Sequence, residues 1–133
     1  MKYLLDTHVF IWFMMEPEKI SDRVLNILED EDADISISTI SFWEIAIKYQ
    51  CKKIRLGKIN PLHLPHIAEQ YNFNLLNPEP YDYVSISQIP IKENHHDPFD
   101  RMLIQQAIRN NLVLLSKDEK FPQYEENGLQ LIW

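Results

Sequence analysis

The sequence predicts an α/β fold, a three-layer α/β/α sandwich in which helices cover both faces of a central, mostly parallel sheet. Short apolar, β-branched runs alternate along the chain with segments of helical periodicity, and parallel strands need such helical crossovers. The 133 residues contain no repeat, low-complexity tract or linker. This predicts one domain over residues 1–133.

In the first half of the chain, recognisable residue types begin or end each predicted element. The apolar run from Lys2 ends in the carboxylate of Asp6, Glu16-Pro17-Glu18 interrupts the next helical pattern, and Ser21 is typical of an N-cap. The predicted elements are a strand at Lys2–Asp6, helices over Thr7–Met15 and from Ser21, a strand at Ile35–Ser38, and a helix from Ser41 to about Lys53 whose first turn contains a Ser41–Glu44 capping box.

Prolines and a glycine divide the second half. Gly57, Pro61 and Pro65 predict a loop, and Asp97-Pro98 is typical of the start of a helix. The predicted elements are a loop over 54–65, a helix at His66–Tyr71, a strand at Asn72–Leu76, helices over Tyr81–Ser87 and from Asp97 to Asn110, a strand at Leu112–Leu115, a loop or helical turn at Ser116–Phe121 and a strand at Leu129–Ile132.

Composition and charge exclude several classes of protein. The formal net charge of −7 argues against a nucleic-acid coating protein, but not against an enzyme whose carboxylates bind metal ions. Five of the 13 basic residues lie between Lys48 and Lys58. The single cysteine, Cys51, excludes an internal disulfide and predicts a reducing compartment, the cytoplasm. No apolar run is long enough for a membrane span.

Four acidic residues follow predicted strands or lie near helix starts. Asp6 ends the first strand, Asp118 lies three residues after Leu115, and Glu44 and Asp100 each lie in the first turn of a helix. In a doubly wound sheet these positions share one edge, so we expect the four carboxylates to meet in one cleft. Clustered carboxylates repel unless a cation holds them, and Mg²⁺ is the natural partner for metal-assisted displacement at phosphorus.

Each of these acids also has a purely structural interpretation. Glu44 can pair with Lys48 one helical turn later, Asp6 can cap the following helix, and Asp118 can be a turn residue. The sequence alone leaves these alternatives open for each acid taken singly.

Asp97 and Asp100 begin the same helix but are assigned differently. Asp97 precedes Pro98 and is predicted to be the N-cap. Asp100 borders an apolar stripe that continues through Ile104, so we assign Asp100 to the site.

Four segments together resemble a known family. They are Leu4-Leu5-Asp6-Thr7, Ser41-Phe42-Trp43-Glu44-Ile45, His96-Asp97-Pro98-Phe99-Asp100-Arg101-Met102-Leu103-Ile104 and Leu115-Ser116-Lys117-Asp118. In this order and spacing they resemble the PIN domain, most closely the VapC-like toxin ribonucleases of type II toxin–antitoxin systems. Gln105-Gln106 departs from the small residues that commonly follow the helix aspartate in the family.

The resemblance implies a metal-dependent endoribonuclease that hydrolyses RNA phosphodiester bonds with Mg²⁺, for which Mn²⁺ can substitute. It implies that the catalytic residues and metal ligands are Asp6, Glu44, Asp100 and Asp118. Thr7 and Ser116 match small hydroxyl positions beside that site and are assigned to substrate binding. The family also implies a homodimer and a cognate antitoxin protein whose tail enters the cleft.

Several basic residues are candidates for contacting RNA. Lys48, Lys52 and Arg55 follow one stripe of the helix that carries the site glutamate, and they either form a solvated face or contact phosphates. Arg101 and Lys117 are further candidates because each adjoins a site acid.

The histidines and the cysteine predict no second site. Adjacent His95 and His96 point apart on most backbones, so we expect a solvated turn rather than a transition-metal site. His63 and His66 lack a third ligand nearby and are expected at the surface, and Cys51 is expected to pack.

Two other functions remain open at this level. A haloacid-dehalogenase-like phosphatase would use Asp6 as a nucleophile, although such enzymes usually show Asp-x-Asp after the first strand, and His8 occupies the second position here. A non-enzymatic protein-binding module would keep the fold and use the aromatic side chains of Phe10, Trp12 and Phe13, which otherwise belong to the core.

Overall fold

Five strands form one parallel sheet in the computed structural model, which describes residues 1–133. The strands are β1 (Lys2–Leu5), β2 (Asp34–Ser38), β3 (Asn74–Leu76), β4 (Val113–Leu115) and β5 (Gln130–Ile132). The helices are α1 (Thr7–Met15), α2 (Asp22–Glu29), α3 (Thr39–Gln50), α4 (Leu64–Gln70), α5 (Pro80–Ser85) and α6 (Pro98–Arg109). Short 3₁₀ helices lie at Pro17–Lys19, Pro61–His63, Ile86–Gln88 and Pro122–Asn127.

The strand order is β3-β2-β1-β4-β5, and all four pairings are parallel. The chain winds outward from β1 in one direction and then, from β4, in the other. The strand order therefore reverses between β1 and β4, where Leu5 pairs with Leu115. Ligands of doubly wound sheets bind at this switch point, beyond the carboxyl ends of the strands.

Two hydrophobic clusters cover the two faces of the sheet. Leu5 of β1 and Leu115 of β4 belong to the cluster that includes residues of α1 to α4, whereas their neighbours Leu4 and Leu114 belong to the cluster built with α6. Successive strand residues point to opposite faces, so both faces are buried. The predicted three-layer α/β/α architecture is confirmed.

Side-chain caps explain where two of the helices begin. Ser21 Oγ accepts a hydrogen bond from Val24 N at 3.2 Å, which confirms the predicted N-cap of α2. The predicted start of α3 was wrong, because the helix begins at Thr39, directly after β2. Its N-cap is Ser38, whose Oγ accepts from Ile40 N at 3.2 Å. There is therefore no Ser41–Glu44 capping box, and Glu44 lies in the second turn of the helix.

The exposure of Cys51 and of the aromatic residues on α1 differs in part from the predictions. Cys51 directly follows α3 and is exposed, so the prediction that it packs was wrong. Of the aromatic residues on α1, Phe10 is fully buried, while Trp12 and Phe13 are partly buried within the core. None of the six helices has both the length and the apolar character needed to cross a bilayer.

Candidate active site

Asp6 lies at the switch point of the sheet. It follows β1 directly, its backbone N donates to Leu115 O at 3.1 Å, and only 4% of the residue is exposed. It occupies the N-cap position of α1, but its side chain accepts no capping hydrogen bond. The carboxylate is therefore not used to cap the helix and is directed to other partners.

Ser116 connects Asp6 to Asp118. Its hydroxyl donates to Asp6 Oδ2 at 2.7 Å and accepts from Asp118 N at 3.0 Å. Because its only hydroxyl proton is used on Asp6, Ser116 orients the two acids rather than donating to a substrate. Asp6 and Asp118 line an open depression of about 270 Å³ together with His8, Trp12 and Lys117.

Glu44 is buried in α3 and pairs with Lys48. Lys48 Nζ lies 2.6 Å from Glu44 Oε2, and only 2% of Glu44 is exposed. The other carboxylate oxygen, Oε1, is buried and has no hydrogen-bond partner. A buried carboxylate oxygen without a donor is costly, unless a ligand or cation completes its shell.

Asp100 enters the site from the first turn of α6. Asp97 Oδ1 accepts hydrogen bonds from Phe99 N at 2.9 Å and Asp100 N at 3.0 Å, which confirms Asp97 as the N-cap of α6. Asp100 Oδ2 accepts a hydrogen bond across the 2.9 Å contact with His95 Nε2.

The prediction that His95 lies in a solvated turn was wrong. It is 3% exposed rather than solvated, and its Nδ1 lies 3.0 Å from the hydroxyl of Tyr124. The only sequence feature that could have indicated this contact is weak: a histidine two residues before the N-cap aspartate Asp97. The residue that it contacts on its other side, Tyr124, is distant in the chain.

Burial and mutual repulsion perturb the acids of this cleft. Burial raises the pKa of Asp6 to about 6, and the charges of Glu44 and Asp118 also raise it. Burial likewise raises the pKa of Asp100 to about 6, with further increases from the charges of Asp97, Asp6 and Asp118. The hydrogen bonds that the two carboxylates accept lower both pKa values in part. The four predicted acids therefore interact as one electrostatic group.

Lys48 is the basic side chain most closely tied to this group. Burial opposes its charge, but its hydrogen bond to Glu44 and the nearby negative charges of Glu44, Asp97 and Asp100 raise its pKa. Lys48 therefore remains a firmly charged ammonium that offsets part of the negative charge.

Two of the residues assigned to substrate binding lie elsewhere. Arg101 is 7% exposed, and its guanidinium donates to backbone carbonyls of Ile86, Ile89 and Pro90, so its donors are already used within the fold. Thr7 is 2% exposed, and its hydroxyl is hydrogen-bonded to Ser41 Oγ at 2.8 Å. Thr7 therefore joins α1 to α3 beneath the site.

The family model that describes the PIN domain matches residues 3–127. The chain belongs to the PIN domain family. Membership confirms the resemblance seen in the sequence and leaves the haloacid-dehalogenase alternative without support.

Proteins similar to this PIN domain include Ribonuclease VapC22 of Mycobacterium tuberculosis, which is 24% identical over 131 residues, 98% of this chain and 97% of the relative. Among solved structures, VapBC2 from Rickettsia felis bound to a promoter DNA fragment aligns with a TM-score of 0.71 and 18% identity, over 99% of this chain and 98% of the other. DNA-bound VapBC from Salmonella typhimurium aligns with a TM-score of 0.67 and 18% identity, over 99% and 97%.

The donor set of this PIN domain fits a hard divalent cation. Its carboxylate oxygens are the ligands that Mg²⁺ and Mn²⁺ prefer, and Glu44 Oε1 is a buried oxygen that lacks a donor. Positive charge would also offset the burial and, to a smaller extent, the repulsion that raise the pKa values of Asp6 and Asp100. The side chains do not form a ready-made group of three metal ligands, so binding would require these carboxylates to move closer together.

Proposed function

We propose that this PIN domain is a metal-dependent endoribonuclease, the toxin of a toxin–antitoxin pair, that acts in the cytoplasm with Mg²⁺ or Mn²⁺. The observation that carries the proposal is the convergence of four acids from four segments at the switch point, with two raised carboxylate pKa values. A purely structural cluster of this kind would destabilise the fold without compensation. A functional cation site explains why it exists.

Each acid has a distinct part in the proposed reaction. Asp6, Asp100 and Asp118 would hold the cation, and Glu44 would complete the site through Oε1. When bound, the ion supplies positive charge that polarises the phosphodiester and makes water a better nucleophile. Ser116 keeps Asp6 and the backbone of Asp118 in fixed relation through its two hydrogen bonds.

Basic side chains next to the acids suggest a path for the RNA. Lys117 lines the depression that contains Asp6 and Asp118. Lys48 lies one helical turn after Glu44, and Lys52 and Arg55 line a groove of about 600 Å³ beyond the end of α3. We assign Lys48 to a double role, in which it holds Glu44 and presents positive charge to a phosphate of the substrate.

The proposal includes an antitoxin and a second copy of the chain as partners. The similar structures are VapBC assemblies, and the net charge of −7 favours a partner with a basic segment that can neutralise the cleft. For the homodimer, α5 offers three exposed side chains, Tyr81, Tyr83 and Val84. If α5 forms the dimer contact, Val84→Asp will convert a dimer to a monomer in analytical ultracentrifugation.

Cleavage of end-labelled RNA by the purified protein tests the activity. We expect cleavage with Mg²⁺ or Mn²⁺, none in EDTA, and products that carry 5′-phosphate and 3′-hydroxyl ends. Asp6→Asn, Asp100→Asn and Asp118→Asn should each lower the rate by more than about 100-fold, since even residues that only orient metal ligands contribute about 10–100-fold.

Asp22→Asn is the matched control, because Asp22 is an exposed carboxylate in the first turn of α2. It should cleave at the wild-type rate. Cleavage that survives EDTA or the Asp6 substitution would refute the proposal. A protein that binds its protein partner fully but neither Mg²⁺ nor Mn²⁺ would instead be a binding module on the same fold.

A further inference from the structure

A tight turn places His95 against the C-terminal part of the chain. His95 N donates to Lys92 O at 2.7 Å and closes the turn. Glu93 and Asn94 at its centre have φ values of 45° and 57°, in the left-handed region that costs energy for a residue such as glutamate. The ammonium of Lys92 lies 5.5 Å from the centroid of the Tyr124 ring. The turn is therefore held in an unfavourable backbone conformation by contacts with another segment.

His95 is buried between a tyrosine and a site carboxylate. Its Nδ1 lies 3.0 Å from the Tyr124 hydroxyl and its Nε2 lies 2.9 Å from Asp100 Oδ2. Both contacts are satisfied if Tyr124 donates to Nδ1 and the Nε2–H donates to the carboxylate. Tyr124 is itself fully buried, so the whole chain of contacts is fixed by packing.

We propose that His95 is a positioning residue: supported by Tyr124, it holds Asp100 Oδ2 so that Oδ1 is presented to the divalent cation. This inference rests on the proposed function, because it assigns a role toward the metal of the same site.

The physical reason lies in the freedom of an aspartate side chain. The second side-chain torsion of aspartate has a broad, shallow profile, so a carboxylate without a partner samples many orientations. Asp100 is also repelled by Asp97, Asp6 and Asp118, which would turn it away from the cleft. The hydrogen bond from His95, whose ring is held by Tyr124, opposes that rotation. Residues that orient metal ligands in this way typically contribute 10–100-fold to metal affinity.

The competing interpretation is that His95 only joins the C-terminal segment to α6. The two roles differ in what they predict for a folded variant. A purely structural histidine would affect stability alone, whereas a positioning residue also affects Mn²⁺ affinity and is replaced best by another donor of similar reach.

Mn²⁺ binding to the full chain, followed by electron paramagnetic resonance of the free ion, tests the proposal without reference to RNA. His95→Phe keeps an aromatic side chain but removes both hydrogen bonds, and it should weaken Mn²⁺ binding about 10–100-fold. His95→Gln can still donate to Asp100 and should stay within about fivefold of wild type. Tyr124→Phe keeps the packing, removes only the support of the imidazole, and should cause an intermediate loss.

Val24→Ala serves as the control for lost stability, because Val24 is fully buried in α2 within the other hydrophobic cluster. This variant should bind Mn²⁺ with wild-type affinity. Wild-type affinity in folded His95→Phe, or an equal loss in His95→Phe and His95→Gln, would overturn the proposal. Wild-type protein that binds Mn²⁺ but cleaves no RNA would refute the nuclease alone, and wild-type protein that binds no Mn²⁺ would refute both.

Discussion

Asp6→Asn should stabilise the metal-free protein at neutral pH while it abolishes cation binding. The substitution removes the negative charge, but it preserves the shape of the side chain and an oxygen that can accept from Ser116 Oγ. Most substitutions at buried positions destabilise a protein. A gain in stability when a buried site residue is replaced would therefore indicate that its charge destabilises the fold and is retained for function.

The magnitude follows from the pKa of Asp6. Burial is the main reason that this pKa rises from 3.8 to about 6. A shift of one pKa unit corresponds to about 1.4 kcal/mol, so the ionised carboxylate destabilises the folded state by about 3 kcal/mol above pH 6. For a chain of this length, the variant should melt roughly 10 °C higher at pH 7.5.

The pH dependence has a definite sign. Because the pKa of Asp6 is higher in the folded state, the folded protein binds more protons, and this contribution to stability is complete below about pH 3.8. It is lost as the pH rises through about 6. The advantage of Asp6→Asn should therefore fall from about 3 kcal/mol at pH 7.5 to about 1 kcal/mol at pH 4.5.

Urea unfolding in EDTA at both pH values measures these differences, with Asp22→Asn as the control that should gain no stability, because Asp22 lies in the first turn of α2. Repeating the pH 7.5 experiment with Mn²⁺ should raise the midpoint of wild type and leave that of Asp6→Asn unchanged. If Asp6→Asn is less stable than wild type at pH 7.5 in EDTA, Asp6 is a structural residue and the electrostatic reasoning fails.

Three further substitutions test individual contacts by urea unfolding. Lys48→Met should destabilise the protein by about 1–3 kcal/mol because Glu44 loses its partner, and adding Glu44→Gln should restore most of that loss; no recovery would mean that lost packing dominates. Asp97→Ala should cost about 1 kcal/mol and Asp97→Ser less, as expected for an N-cap, whereas equal losses would exclude capping. Arg101→Met should cost more than about 2 kcal/mol because three carbonyls lose their donor, with unchanged RNA affinity in filter binding of the folded protein. Weaker RNA binding at full stability would instead support the predicted substrate contact of Arg101.

The fold was predictable because its determinants are local and periodic. Both strand β1 and helix α1 were recognised from runs of apolar residues, and only their shared boundary at Asp6 moved by one residue. The start of α3 was less predictable because Ser38 and Ser41 are both suitable N-caps. The pairing of β2 with its neighbours sets where the strand ends, and this long-range constraint selected Ser38.

The position of the site was predictable because the carboxyl ends of parallel strands share one edge of the sheet. The side chains that contact its acids in space were not predictable. Arg101 adjoins Asp100 in sequence, but successive residues on a helix point about 100° apart, so its guanidinium reaches the Ile86–Pro90 segment instead of the cleft. His95 reaches Asp100 across a turn and an N-cap, and no periodicity relates the two positions.

Burial was the property of the site that spacing along the chain could not supply. Spacing placed Asp6 and Asp118 at one edge, yet surface carboxylates at that separation would repel only weakly, because water screens them. The pKa of Asp6 rises mainly because the residue is only 4% exposed, and the charges of Glu44 and Asp118 add smaller increases. The raised pKa, and with it the need for a cation, therefore arises from three-dimensional packing rather than from the number of acids in the sequence.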